Sequence, residues 1–282
     1  MAAVVSARSV GRPADEGERV IPEADLRRVT EVYSLGRMLG RGAFGVVREA
    51  VERETGVAYA CKSLSKARMV TSRDREDVRN EYRIMKAVRG HKNVVQLEAA
   101  FEDESDVHIV MEICSGGELF DRIVAKGHYS EKDAAEALRS MLHIIEHCKK
   151  HGVIHRDLKP ENYLLTSAAE DAELKLTDFG LSKFLPLGRL ASEVVGTPGY
   201  IAPEVLRRSY DYKADIWSAG CILYILLSGK LPFYGINEKE ELRATLRGRF
   251  DIRKQPWPTV SAEAKEVVTL MLTMDRGARP GA

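Results

Sequence analysis

Ile154-His-Arg-Asp-Leu-Lys-Pro-Glu-Asn162, followed by Leu174-Lys-Leu-Thr-Asp-Phe-Gly180, is the passage on which the reading of this chain turns. Toward the N-terminus stands Gly40-Arg-Gly-Ala-Phe-Gly45-Val-Val47, in which Gly40, Gly42 and Gly45 let backbone amides approach phosphate oxygens with no Cβ in the way. Glycine-rich turns also occur in hairpins that hold no ligand, so the context matters. Val46 to Glu52 reads as a strand, so the motif closes a hairpin and does not open the helix of a dinucleotide fold. No Gly-Lys-Ser/Thr follows, which excludes a Walker A loop. Lys62 ends the β-type run Ala58-Tyr-Ala-Cys-Lys62. A lysine there is usually a solvated flank, but the helical segment from Asp74 to Arg89 offers Glu81 as a partner, itself otherwise an exposed helical glutamate.

Around these motifs the pattern divides in two. From Tyr33 to Glu112, short β-type runs (Val46 to Val51, Val57 to Cys61, Val107 to Met111) alternate with one helix from about Arg73 to Arg89. Beyond Gly117 helical patterns dominate, with Ser130 and Asp133 opening a helix to about Lys150 and an apolar helix over Lys213 to Leu227. Between them, Glu112-Ile-Cys-Ser-Gly-Gly117 suits a hinge. The expected organisation is a mobile leader over 1–32, a small lobe over 33–112, a hinge over 112–117 and a helical lobe over 118–282 whose last helix is cut short.

With 43 Lys plus Arg against 42 Asp plus Glu in 282 residues, the composition supplies no electrostatic case for a nucleic-acid or membrane partner. Cys61, Cys114, Cys148 and Cys221 form no CxxC pair in a chain too large to need disulfide staples, which favours a reducing compartment. No apolar stretch approaches the ~20 residues that span a bilayer, and Ala2 excludes N-myristoylation of this start. The expectation is a monomer in the cytoplasm or nucleus with no membrane anchor.

The two central motifs, the glycine loop and the lysine together resemble the eukaryotic protein kinases, from about Tyr33 to Ala282. The resemblance implies an α+β, bilobal protein-kinase fold and transfer of phosphate from ATP, with Mg²⁺, to serine or threonine of protein substrates. Such chemistry asks the protein mainly for positioning and charge neutralisation. By resemblance Asp178 and Asn162 hold magnesium, Asp157 accepts or orients the proton of the substrate hydroxyl, and Lys159 neutralises the γ-phosphate. Thr197, in Gly196-Thr-Pro-Gly-Tyr-Ile-Ala-Pro-Glu204, bonds Asp157 and Lys159. Lys62 and Glu81 pair against the α- and β-phosphates. Leu39, Val47, Ala60 and Leu164 wall the adenine, main-chain groups of Glu112 and Cys114 form its hydrogen-bonding edge, and Met111 guards the back pocket. For these apolar residues, plain core packing is the competing account. Glu204 is expected to pair with Arg279.

Ala60-Cys-Lys-Ser, Glu118-Leu-Phe-Asp-Arg-Ile, Gly127-His-Tyr-Ser-Glu and Tyr224-Ile-Leu-Leu-Ser-Gly look like plant calcium-dependent protein kinases and the phosphoenolpyruvate-carboxylase-kinase-related enzymes. No Asp-x-Asp-x-Asp-Gly calcium loop is present, so the resemblance puts any calcium sensor or regulatory segment after Ala282. Glu118 and Glu161 are implied to face basic residues upstream of the phosphoacceptor, Glu118 also being a candidate for the ribose of ATP. Where the family's activating phosphothreonine would sit, this chain has Glu193, a carboxylate that Arg156 can pair with unmodified; a solvated loop glutamate, with phosphorylation of neighbouring Ser192 as the switch, is the competing account. A pseudokinase is disfavoured because Lys62, Asp157 and Asp178 are all present. A small-molecule kinase is disfavoured by the intact Thr197 to Glu204 segment.

Overall fold

A computed structural model describes residues 19–41, 45–126, 129–169 and 171–282, with the side chain of Lys126 excepted. The chain divides into two compact units between Ser115 and Gly116. One is rich in β-sheet and the other in helix, the bilobal α+β architecture of a protein kinase.

In the first unit a short helix, α1 (Val29–Val32), leads into β1 (Tyr33–Arg41), followed by β2 (Gly45–Glu52), β3 (Ala58–Ser65), α2 (Ser72–Val88), β4 (Leu97–Glu102) and β5 (Asp106–Glu112). The strands form one antiparallel sheet in the order β1-β2-β3-β5-β4. Because strand side chains alternate between faces, the register sorts the residues by function. Val47 pairs with Lys62, Lys62 with Ile109, and Ala60 with Met111, which puts these on one face. The opposite face carries Ala50, Cys61, Phe101 and Val110, closed over by Val29 and Tyr33. Tyr33 meets Tyr59 and Phe101 edge-on, each at 5.8 Å between ring centroids. Thr71 caps α2 reciprocally with Asp74: each accepts the other's amide N–H.

The leader expected over 1–32 has to be corrected in its last part. Residues 1–18 lie outside the described residues, but Val20 and Ile21 are fully buried and Val29 nearly so. Sequence periodicity misses them because the segment is fixed through its main chain, by Glu102 and Arg79, and not through an apolar stripe.

The second unit contains α3 (Leu119–Lys126), α4 (Glu131–Lys150), β6 (Val153–Ile154), β7 (Tyr163–Leu165), β8 (Leu174–Leu176), β9 (Lys183–Phe184), α5 (Pro203–Leu206), α6 (Lys213–Ser228), α7 (Glu238–Arg247) and α8 (Ala262–Met271). Ser130 caps α4 by accepting the Asp133 amide at 3.1 Å. From Ala214 to Ser228 every residue of α6 is buried, so this helix is the axis of the unit, and Gly229 ends it in the left-handed conformation at φ 69°. At Gly220 the end of α8 packs against the helix backbone: an added Cβ would lie 2.8 Å from that of Met271. The short pairs β6–β9 and β7–β8 bracket the segments on which the functional side chains stand.

Among the described residues no helix is long and apolar enough to cross a membrane. The four cysteines are free thiols, and burial pushes Cys61 up to about 11 and raises Cys148 and Cys221 further.

Candidate active site

The chemistry-bearing residues of the second unit converge on Asp157. Thr197 Oγ1 donates to Asp157 Oδ1 at 2.6 Å, and Lys159 Nζ donates to Asp157 Oδ2 at 2.8 Å and to Thr197 Oγ1 at 3.2 Å. Asp157 and Thr197 are buried, so the closed triangle works in a poorly hydrated setting where charge-assisted bonds hold their geometry. Asn162 spends Nδ2 on the carbonyl of Asp157 at 2.8 Å, which turns its acceptor oxygen the other way. Asp178 sits at φ 59°, a strained conformation for a residue with a side chain, and its Oδ1 accepts the Gly180 amide at 3.3 Å.

The scaffold under this group is Asp215, at the start of α6. Its two oxygens accept the amides of His155 and Arg156, both at 2.9 Å. This holds Arg156 at φ 72° and sets the direction in which Asp157 leaves the loop. Burial raises the Asp215 carboxyl and lowers the His155 imidazole, each partly opposed by the charge of the other. His155 also packs edge-on against Phe179 at 5.2 Å, joining the Asp157 and Asp178 segments through their neighbours.

In the first unit Lys62 Nζ donates to Glu81 Oε1 at 2.5 Å, with Glu81 on α2 and nearly buried. Val47, Ala60 and Met111 share the sheet face of Lys62. Ala60 and Met111 are buried, Val47 is half-buried, and Leu39 is exposed. Glu112 gives its amide to the Gln96 carbonyl at 2.9 Å, and Cys114 is half-buried. Gly42 lies outside the described residues. Gly40 and Gly45 differ in kind. Among the described residues a Cβ at Gly40 would meet nothing within 4 Å, whereas one at Gly45 would lie 1.7 Å from the Ser63 carbonyl. Gly45 is therefore demanded by the neighbouring strand, a reason the motif alone does not reveal.

A model of the protein kinase domain matches residues 33–282. The chain belongs to the protein kinase domain family. This kinase domain is 53% identical over 247 residues to calcium-dependent protein kinase 19 of Oryza sativa subsp. japonica, covering 88% of the chain and 46% of that relative. It is 50% identical over 254 residues to calcium-dependent protein kinase 21 of Arabidopsis thaliana, covering 90% and 47%. With calcium-dependent protein kinase 2 of Zea mays the identity is 52% over 247 residues, covering 88% and 48%. The chain thus spans about half the length of the relatives it matches.

Two further carboxylate clusters of the kinase domain involve residues of the loops around the Asp157–Lys159–Thr197 triangle. Glu193 is bound by Lys183, lies 3.6 Å from Arg156 Nη1, and has its carbonyl capped by the Tyr210 hydroxyl at 2.7 Å. Burial pushes its carboxyl up, but the hydrogen bond from Lys183 and the charges of Lys183 and Arg156 prevail and hold it at about 2. Glu118 shifts the other way: burial, then the charges of Asp121 and Glu161, raise it. Glu161 Oε2 is buried with no hydrogen-bond partner among the described residues. Leu164 lies half-buried on β7, which pairs with β8.

Glu204 and Arg279 form a buried, two-pronged pair at 2.5 and 3.0 Å, and the Arg279 guanidinium stacks over Trp217 at 5.0 Å. Asp215 opens Asp215-Ile-Trp-Ser-Ala-Gly220, a stretch that matches the family but to which the sequence alone gives no role. The signal was present in a lone carboxylate near the start of an otherwise apolar helix, a placement that needs donors to be tolerable.

Among the described residues no three His, Cys, Asp or Glu side chains gather into a metal cluster. Asp178 and Asn162 offer a carboxylate and an amide oxygen. That pair fits Mg²⁺, which takes hard oxygen ligands and keeps places for phosphate and water; it does not fit a metal that requires a full protein cage.

Proposed function

We propose that this domain transfers the γ-phosphoryl group of ATP to serine and threonine hydroxyls of proteins. The observation that carries the reading is the Asp157–Lys159–Thr197 triangle. Asp157 accepts the proton of the incoming hydroxyl as its oxygen bonds to phosphorus and the bond to the ADP oxygen breaks. Lys159, held at the same carboxylate, faces the charge that spreads over the migrating group. Thr197 fixes the carboxylate rotamer, since an oxygen that already accepts a bond cannot swing freely. Lys62, oriented by Glu81, binds the α- and β-phosphates. Asp178 and Asn162 would hold Mg²⁺, which would supply positive charge to neutralise the phosphates.

Leu39, Val47, Ala60, Met111 and Leu164 supply apolar surface for the adenine, with Glu112 and Cys114 giving main-chain hydrogen bonds. Gly40 and Gly45 leave room for main-chain amides to approach the phosphates, and the raised Glu118, with a Glu161 Oε2 that has no hydrogen-bond partner among the described residues, supports recognition of basic residues upstream of the acceptor. The names of the relatives suggest calcium-linked control, which we place outside residues 33–282, and free cysteines favour a cytoplasmic or nuclear protein. The test is a peptide array with Mg·ATP. Phosphate on Ser/Thr peptides, lost in Asp157→Asn, is expected; transfer only to small molecules, or none, overturns the reading.

A further inference from the structure

The segment before Tyr33, where the family match begins, is bound to the first unit by its main chain. Val20 and Ile21 donate their amides to the two oxygens of Glu102, each at 2.8 Å. Arg79 donates Nε to the Val20 carbonyl at 2.8 Å and Nη2 to that of Arg19 at 3.0 Å. Glu102 is buried and paired with Lys66 at 2.9 Å. Further along, Asp25 donates to the Ala100 carbonyl at 2.8 Å and accepts from Glu102 N–H at 2.9 Å, so the segment runs as an added bridge along the edge of β4. Each bond to Glu102 or Arg79 has a charged partner, which makes it stronger than an ordinary main-chain bond.

Arg79 stands on α2 only two positions before Glu81. Two residues turn a helix by about 200°, so Arg79 is gripped on the side of α2 roughly opposite the Lys62–Glu81 pair. Glu76, one turn back, fixes the guanidinium at 2.7 Å. A helix held on one flank by Lys62 and on the other by a main-chain anchor cannot roll without breaking one of them.

We propose that residues 19–28 form a strap that sets the position of α2, with Arg79 and Glu102 as positioning residues for the Lys62–Glu81 pair. The consequence for phosphate handling rests on the kinase reading; the mechanical claim does not. The chain outside the matched domain thereby becomes a control point for the ATP site, because whatever lifts Arg19 to Ile21 off Arg79 and Glu102 loosens the helix that carries Glu81.

The experiment compares the full chain with Arg79→Ala, Arg79→Lys and the double variant Val20→Asp/Ile21→Asp, by amide hydrogen exchange and by steady-state kinetics. In Arg79→Ala and the double variant we expect exchange in α2 to rise about tenfold, with α4 and α6 unchanged. KM for ATP should rise about tenfold, with KM for peptide unchanged, and Arg79→Lys should recover part of both. Wild-type α2 exchange and KM for ATP in both variants overturn the strap, as does faster exchange spread evenly over both units, which marks simple loss of stability. If the double variant does not fold, Arg79→Ala decides alone. A wild-type chain that transfers no phosphate refutes the kinase reading, while α2 exchange still decides the strap.

Discussion

The guanidinium of Arg156 lies 3.6 Å from the carboxylate of Glu193, and the same arginine donates Nε to the Leu181 carbonyl at 2.7 Å. Arg156 is mostly buried and directly precedes Asp157, so an unmatched charge there would disturb the residue proposed as the base. Glu193 matches it without modification, and Lys183 and Tyr210 bind the same residue.

Activity is therefore expected to survive phosphatase treatment and to fall in Glu193→Ala, measured in a short assay with autophosphorylation blocked. The reverse pattern would refute this. The pH dependence separates the two cases again. Glu193 in the folded chain titrates at about 2, below its ordinary 4.5, so the stability it contributes is complete above about 4.5 and lost as pH falls toward 2. Between pH 5.5 and 8 this pairing adds no titration, whereas a phosphate with its second pKa near 6 would. A rate profile with a step near pH 6 that phosphatase removes would count against Glu193.

Asp157→Asn keeps the shape of the triangle and removes the charge. Turnover should drop about 10²- to 10⁴-fold, the usual worth of a general base, with little change in melting temperature. Asp178→Asn should act alike through the metal and raise the Mg²⁺ concentration needed for half-maximal rate. Near-normal turnover in either variant would remove the proposed mechanism.

That Asp157, Lys159 and Asn162 stand together was legible because they lie within one loop, and the motif fixes their spacing. The Lys62–Glu81 pair was legible as a candidate because a lysine in a β-type run and a helical glutamate gain meaning only in combination. Lys62 nevertheless lies inside β3 (Ala58–Ser65) and not at its end, the ladder carrying on past it through residues with no apolar run. Hydrophobic periodicity located α2, α4 and α6 and the strands β2, β3 and β5, with ends shifted by a residue or a few, as expected where caps and hydrogen bonds decide termination. Residues 19–28 were illegible as structure, since Glu102 and Arg79 bind their main chain and main-chain recognition leaves no residue pattern. Asp215 stood out as a lone carboxylate in an apolar helix, but its partners, the amides of His155 and Arg156, lie 60 and 59 residues away in sequence.

Asp215→Ala leaves the amides of His155 and Arg156 buried without acceptors, at a cost of about 2–6 kcal/mol for two such groups. A large fall in melting temperature is expected, together with lost activity. Asp215→Asn retains one acceptor oxygen and should lie between. A stable Asp215→Ala with full turnover would show that the loop geometry is set elsewhere.

Breaking the Glu204–Arg279 pair from either side strands a buried charge, which typically costs about 3–5 kcal/mol. Arg279→Ala also uncovers the face of Trp217. Thermal denaturation should show Arg279→Ala and Glu204→Ala each strongly destabilised, and the double variant less so than their sum. Additive losses would mean that the two residues act independently.

Substrate choice should follow the acidic side chains next to the catalytic loop. Glu161 keeps a buried carboxylate oxygen without a hydrogen-bond partner among the described residues, and Glu118 is raised by burial and by its neighbours Asp121 and Glu161, so both gain from an incoming cation. An arginine presents a planar fork suited to carboxylates and lowers the pKa of each it meets. A positional peptide scan is expected to favour Arg over Lys two or three residues before the phosphoacceptor. Removing one charged hydrogen bond at such a site costs about 1.5–3 kcal/mol, so Glu161→Gln and Glu118→Gln should each lower kcat/KM for the basic peptide roughly tenfold or more, and leave a peptide lacking upstream arginine nearly unaffected. The sign with pH is fixed by Glu118: its raised carboxyl loses charge at a higher pH than an ordinary glutamate, so discrimination in favour of arginine should weaken first on the acid side. KM for ATP separates the competing assignment, because a ribose contact by Glu118 would raise it in Glu118→Gln with every peptide alike. A scan with no upstream basic preference, or equal losses on basic and neutral peptides, would remove this assignment of the substrate face.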